Sequence, residues 1–391
     1  MKCRKMVKRT AISSIALWSL LSLLLAGCWN NKDITDINIV AGIGLERTDD
    51  GKVILTVQVV EPAAIQSTSS GNGKGGGGMP KPVFVKSYVG ETVFEAVRGI
   101  LSTVDKKMFF STAQVLILGE KLSQDGIEEV LDFFQRDHEI DYEMNILVAK
   151  GVTPEEILAI ESDIDSIPAI YINGTVENTD SRATVKKTML IDLIKDMGGN
   201  EKQPAIGQIS KVGEKDVKTE GTAVFRDGKL VGWLDSYETR GYLFAIDKVK
   251  STVINIFADN SKISMEVTRS KGKISVAFKN GEPSALNIKV EVEANVGGYE
   301  GKGRLELPED LAILKEMLEE EIKKEIGMAL EKTQKEYFSD IFGFGRYVRK
   351  YHPKYWKKSS KNWLTVFSEL PVDIQVNAKI MRTGIVKSPV D

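Results

Sequence analysis

The chain has 391 residues, with 53 Lys and Arg against 55 Asp and Glu, two cysteines, two histidines and a formal net charge of −2. That length is enough for two ordinary hydrophobic cores without disulfides. The mild acidity excludes a general nucleic-acid binder, which needs a basic field.

Lys2, Arg4, Lys5, Lys8 and Arg9 open the chain, and residues 11–27 then carry no charge. This is the n-region and h-region pattern of a secretory signal. The uncharged stretch is 17 residues long and contains Ser13, Ser14, Ser19 and Ser22; a bilayer crossing takes about 20 apolar residues. Its end, Leu25-Ala26-Gly27-Cys28, resembles a bacterial lipobox. Small residues let the extended backbone enter a protease cleft, and the thiol is the nucleophile that accepts a diacylglyceryl group. The competing reading is a retained anchor helix that happens to end in Cys. The expectation is a lipoprotein signal peptide over 1–27, with Leu25, Ala26 and Gly27 recognised by the peptidase and Cys28 lipidated. Two or three acyl chains hold a protein stably where one does not. Such an anchor places the chain on the outer face of a bacterial cytoplasmic membrane. Removing the leader leaves a net charge of −7 and no second thiol for a disulfide.

Residues 28–36 read as a polar tether, followed by an N-terminal α+β domain over 37–200. "INIVAGIGLE" and "KVILTVQVVEP" flank Asp49-Asp50-Gly51 as a β-hairpin. A Gly- and Ser-rich loop covers 67–82. Lys74 sits in that loop, but Gly75 follows it and Pro80 and Pro82 block a helix, so no Walker loop forms. Next come a strand "PVFVKSYVG", a helix from Glu91 to Val104, a buried strand "AQVLILGE", a helix from about Asp125 to Arg136, a strand "MNILVAK" and a short helix capped by Thr153. Residues 161–182 read as irregular, and "ATVKKTMLIDLIKDM" as helix. A linker is expected at 201–219 and a C-terminal α+β domain over 220–391.

That second domain opens on a tight hairpin at Asp227-Gly228, a helical turn from Tyr237 to Ala245, and long alternating strands from Lys250 to Val296. From Pro308 to about Ser339, Leu311, Leu314, Leu318, Ile322, Ile326, Leu330 and Tyr337 recur at helical spacing, predicting one long amphipathic helix. Glu319, Glu320 and Glu321 on it point three ways and read as a solvated face rather than a metal site. Then "DIFGFGRYVRKYHPKYWKKSSKNW" interleaves aromatic and basic residues. Arg346, Tyr351, Tyr355, Trp356, Lys357, Lys358 and Trp363 are candidates for a membrane or partner patch; aromatics packing the corner after the long helix are the other reading. "PVDIQVNAKIMRTG" is a final strand.

The search for chemistry returns little. His138 and His352 are far apart and neither has a second His or Cys three or four residues away, whereas zinc needs three or four ligands. No nucleophile elbow, His-Glu-x-x-His or complete dinucleotide fingerprint occurs. Paired carboxylates of a hydrolase are defined in space and stay open.

The lipobox, "DINIVAGIGLE", "GTAVFRDGKLVGWLDSYETRGYLF", "DIFGFGRYVRKYHPKYW" and "VNAKIMRTGIV" together resemble the C subunit of bacterial spore germinant receptors, the Ger(x)C lipoprotein family, from Cys28 to about Val386. The Gly-rich insertion near 69–78 departs from the family pattern. The resemblance implies a multi-part α+β fold of mixed sheets flanked by helices. It also implies a non-enzymatic role without cofactor in the spore inner membrane, beside two integral membrane subunits, in assembly or signalling. A lipoprotein that captures the nutrient itself, and a tethered membrane- or wall-active enzyme, are the rival classes.

Overall fold

The computed structural model describes residues 37–62, 81–136, 139–258, 261–300 and 308–382. The leader, the lipobox, the tether, His138 and nearly all of the Gly-rich loop lie outside the described residues.

Three antiparallel strands open the fold: β1 (Ile37–Arg47), β2 (Val53–Val60) and β3 (Val83–Gly90). The helix after them is shorter than its pattern, α1 (Val93–Gly99), started by the Thr92 side chain accepting from the Glu95 N–H. A short strand β4 (Lys107–Phe109), missed by pattern, lies parallel to the start of β1. Then β5 (Val115–Leu118) and β6 (Asn145–Ala149) run parallel to β1. Between them the expected helix is present as α3 (Glu128–Arg136), and a further short helix, α2 (Glu120–Asp125), precedes it across Gly126, whose φ is +130°. Thr153 and Glu156 form the capping box of α4 (Pro154–Leu158).

The stretch expected to be irregular carries α5 (Pro168–Glu177) and α6 (Thr179–Arg182). The following helix shrinks to α7 (Leu190–Met197). Ahead of it the chain is extended, with Val185 bridging Gly221 and Met189 bridging Asn145.

The expected linker at 201–219 is instead β7 (Ala205–Val212) and the first part of β8 (Asp216–Arg226). β7 joins β6 in parallel, β8 pairs back on β7, and β9 (Lys229–Leu234) follows through the Asp227-Gly228 turn, where both φ angles are positive. The result is a nine-stranded sheet in the order β3-β2-β1-β5-β6-β7-β8-β9, with β4 paired to β1. Its centre is covered on both faces, which is why "VLIL" and "NILVA" are continuously apolar. Leu116, Leu118, Ile146, Val148 and Ile206 meet the helices α1, α2, α3 and α7. Val115, Ile117, Leu147, Ala149 and Ile209 meet α4 and α5.

The second part begins with α8 (Ser236–Ala245), a full helix where only a turn was expected, started by an Asp235–Glu238 capping box. A four-stranded sheet follows, β10 (Thr252–Ala258), β11 (Ser261–Lys279), β12 (Glu282–Glu300) and β13 (Val372–Arg382), in that order, with β13 parallel to β12. The long helix α9 (Pro308–Glu331) buries Leu314, Leu318, Ile322, Ile326 and Leu330 against this sheet and α8. It ends earlier than its pattern, in a wide π turn over Lys332–Glu336. Gly241 marks the crossing of α8 over α9: a Cβ there would lie 2.2 Å from the Glu325 carbonyl oxygen, so only glycine lets the two backbones touch. One member of the acidic run departs from the solvated reading, since Glu319 accepts from the Ala378 N–H of β13 at 2.7 Å. Three short helices, α10 (Phe344–Tyr351), α11 (Pro353–Ser359) and α12 (Trp363–Glu369), connect α9 to β13.

Candidate functional site

The aromatic and basic segment after α9 is built around one carboxylate. Asp340 is buried, and burial pushes its pKa up. Four donors oppose that: Gly345 N–H at 2.7 Å, Trp363 Nε1–H at 2.8 Å, Gly343 N–H at 2.8 Å and Phe344 N–H at 3.2 Å. Three of them are the free amides at the start of α10, so a carboxylate is the matched cap. A Cβ on Gly345 would fall 2.6 Å from the Trp363 indole nitrogen, which explains a glycine there.

The same segment ties the two sheets together. The Asp340 carbonyl accepts from Gln203 N–H at 2.9 Å, the Ser339 hydroxyl donates to the Phe225 carbonyl at 2.5 Å, and Tyr242 donates to the Ile341 carbonyl at 3.2 Å. Tyr337 accepts from the Trp233 N–H at 3.3 Å and donates to its carbonyl at 3.0 Å.

Placed on this frame, the candidate patch divides. Trp363, a candidate for that patch, is 1% exposed and belongs to the core, as the packing reading of the corner has it. Its i, i+4 relation to the equally buried Phe367 was the available signal. Trp356 is half-buried and meets the Trp363 ring edge-on at 5.8 Å, and Tyr355 meets Phe278 edge-on at 5.5 Å. Lys357 and Lys358 are exposed at the end of α11. Tyr351 is 56% exposed, 4.6 Å from the Tyr347 ring and with the Lys350 ammonium 5.0 Å from its centre. Arg346 is exposed and donates to Asp196 at 2.9 Å.

Three cations converge beside Arg346 that the sequence pattern did not group. Lys202, Lys248, Arg346 and Lys350 line a cleft of about 350 Å³ together with Ile246, Phe342 and Tyr347. Asp196 accepts from both Lys202, at 2.6 Å, and Arg346. Neither Lys248 nor Lys350 forms an ion pair among the described residues. Behind the cleft stands Lys186, 9% exposed, donating to the Lys187 carbonyl at 2.5 Å. Burial pulls its pKa down to about 8; Lys202 and Lys248 lower it further, while Asp192 and Asp196 pull the other way.

A lysine near 10.4 when unfolded and near about 8 when folded costs stability in its charged form, about 3 kcal/mol below pH 8. Lys186→Met is therefore expected to raise stability at pH 7 by about 2 kcal/mol, the lost hydrogen bond offsetting part of the gain. Between pH 8 and 10.5 the unfolded chain binds the extra proton, so the wild type gains and the difference shrinks. Urea titrations of both proteins at pH 7 and pH 10 check this; a pH-independent difference would contradict it.

A second cleft, about 940 Å³, lies between α1 and α3. Arg47, Arg98, Glu91, Glu129, Phe94 and Phe133 are among its walls. Phe94 is 58% exposed with the Arg98 guanidinium 5.3 Å from its ring centre. Arg47 donates to Glu129 through Nη2 at 3.3 Å, and its buried Nε has no partner.

Among the described residues no group of three His, Cys, Asp or Glu side chains is placed to hold a metal ion, and no helix is long and apolar enough to cross a membrane. Cys28, Leu25, Ala26 and Gly27 fall outside the described residues.

Residues 30–211 match the family described as "Spore germination protein N-terminal domain", and residues 220–384 match "Spore germination B3/ GerAC like, C-terminal". The chain is 29% identical to Spore germination protein KC of Bacillus subtilis, over 98% of each chain. It is 26% identical to Spore germination protein B3 of the same organism, over 93% of this chain and 96% of that one. The crystal structure of the GerBC protein superposes with a TM-score of 0.56 at 20% identity, covering 87% of this chain and 97% of the other, and so shares the fold. The mixed α+β architecture and the two successive matches leave one assignment: the chain belongs to the Ger(x)C family, the C subunits of spore germinant receptors.

Proposed function

We propose that this chain is a lipid-anchored, non-catalytic subunit of a nutrient germinant receptor, acting in receptor assembly or signalling on the outer face of the spore inner membrane. The observation that carries the reading is the end-to-end correspondence with a spore germination protein, 98% of both chains. The lipobox at Leu25 to Cys28 supports the anchor. The motifs that first suggested the family support a scaffolding role. "DIFGFG" supplies the Asp340 cap, and "YETRGYLF" supplies the α8–α9 crossing at Gly241. The partners are two integral membrane subunits, and no cofactor is required.

The test is co-purification of membrane partners with the wild type and with Cys28→Ala, alongside mass spectrometry of the N-terminus. A diacylglyceryl mass on Cys28, two polytopic partners with the wild type, and loss of lipid and partners in the variant are expected. A lipidated wild type that comes down alone would sink the receptor-subunit reading.

One observation favours a second reading, direct nutrient capture. The α1–α3 cleft is large enough for an amino acid or sugar, and Arg98 on its wall has no ion pair among the described residues. Calorimetric titration of the purified protein with nutrients at millimolar concentration decides it; no heat would exclude capture.

A further inference from the structure

The basic residues of the chain are not spread evenly. Between Asp340 and Glu369 stand Arg346, Arg349, Lys350, Lys354, Lys357, Lys358 and Lys361, with no acidic residue between. Arg346 pairs with Asp196 and Arg349 with Glu201. The other five carry no ion pair among the described residues, and all five are exposed. Tyr351 and the half-buried Trp356 lie within the same run. In a protein of net charge −2, this face stands out as cationic and amphipathic at once.

Topology fixes where that face sits relative to the N-terminus. β1, β5, β6 and β7 are parallel, and Gly42, Val115 and Asn145 share one level. Leu147 pairs with Gly207, so Ala205 stands at that level too. Ile37 lies five residues before it on β1, and Lys202 three residues before it on the entry to β7. Both therefore leave the sheet from the same end. β1 and β7 are three strand spacings apart, about 15 Å. α10 is fastened to that same end, by Arg346 on Asp196, by Arg349 on Glu201 and by the Gln203–Asp340 hydrogen bond. Ile37 lies nine positions after Cys28, a reach of at most about 30 Å.

We infer that the α10–α11 face, with the Lys202–Lys248–Lys350 cleft at its edge, is a membrane-contact surface that takes the phosphate headgroups of anionic phospholipids. The inference rests on the proposed anchoring at Cys28: a short tether leaving the sheet end that carries α10 holds these lysines at headgroup height. Lysines meet the phosphates, and Tyr351 supplies an interfacial ring. Each lysine near an anionic surface strengthens binding about fivefold.

The test uses the full chain reconstituted on phosphatidylglycerol vesicles and on phosphatidylcholine vesicles, read by hydrogen–deuterium exchange. Whichever N-terminal device holds the chain, the readout is obtained, and the mass of the N-terminus tests the anchor separately. Amides of 344–363 are expected to exchange several-fold more slowly on the anionic vesicles than on the zwitterionic ones. Combining Lys350→Glu, Lys354→Glu, Lys357→Glu and Lys358→Glu is expected to abolish that difference while leaving the rest of the exchange map unchanged. Equal exchange on both vesicles overturns the proposal. So does protection reproduced by inorganic phosphate on zwitterionic vesicles, which marks a free-anion site. Protection that needs the co-purified membrane subunits also overturns it, marking a subunit interface instead.

Discussion

Asp340→Ala is expected to lower stability by about 4 kcal/mol, read as a shift of the urea midpoint with little change in slope. Four donors converge on this carboxylate: three consecutive amides at the start of α10 and the Trp363 indole. A buried donor left unpaired costs about 1–3 kcal/mol, and water has little room to enter where Gly345 and Trp363 touch. Asp340→Asn keeps one oxygen and turns an NH₂ toward donors, so an intermediate loss of about 2 kcal/mol is expected. The fluorescence of Trp363 should change in both variants. A loss under about 1 kcal/mol for the alanine variant would mean that packing alone holds the segment.

Glu325→Ala is expected to cost about 3–5 kcal/mol, because it strands a buried guanidinium. Arg240 donates through Nε to Glu325 Oε2 at 2.9 Å, through Nη2 to Oε1, and through Nη1 to the Val253 carbonyl at 2.8 Å. Burial pushes the Glu325 pKa up, and the Arg240 partner opposes it. The pair joins α8, α9 and β10 beside the Gly241 crossing, where neither helix can shift to readmit water. Replacing both partners, Arg240→Met with Glu325→Leu, is expected to come within about 1 kcal/mol of wild type, since apolar groups of similar volume carry no desolvation cost. Equal losses in the single and double variants would show that the ion pair is not what the site depends on.

Period alone was sufficient wherever one face of an element decides its burial. The α9 stripe, the alternation of β11 and β12, and the doubly buried β5 and β6 were all legible. The Asp227-Gly228 turn was legible for a chemical reason, the positive φ that both residues tolerate. α5 was missed although Ala169, Ile172 and Val176 stand at helical spacing, because Gly174 and the β-branched Ile170 and Thr175 argue locally for strand or loop. The 201–219 segment is hard to read because its polar turn outweighs the few buried apolar positions on either side of it, Ala205, Ile206, Ile209 and Val217. Of the candidate site, the pattern supplied the basic and aromatic inventory but not its sorting. Three of the four donors to Asp340 lie within five residues of it, but the fourth, the Trp363 indole that ties this cap to the core, comes from 23 positions away.

The two family matches meet between residues 211 and 220, yet the molecule is not jointed there. β7 belongs by sequence to the first match and most of β8 to the second, and they are laced together from Ala205–Val224 to Val212–Asp216. Bending the chain at this seam would tear a β-ladder and expose a doubly covered sheet. A hinge between the two matched regions is therefore closed off at this seam, where the chain runs through one continuous sheet.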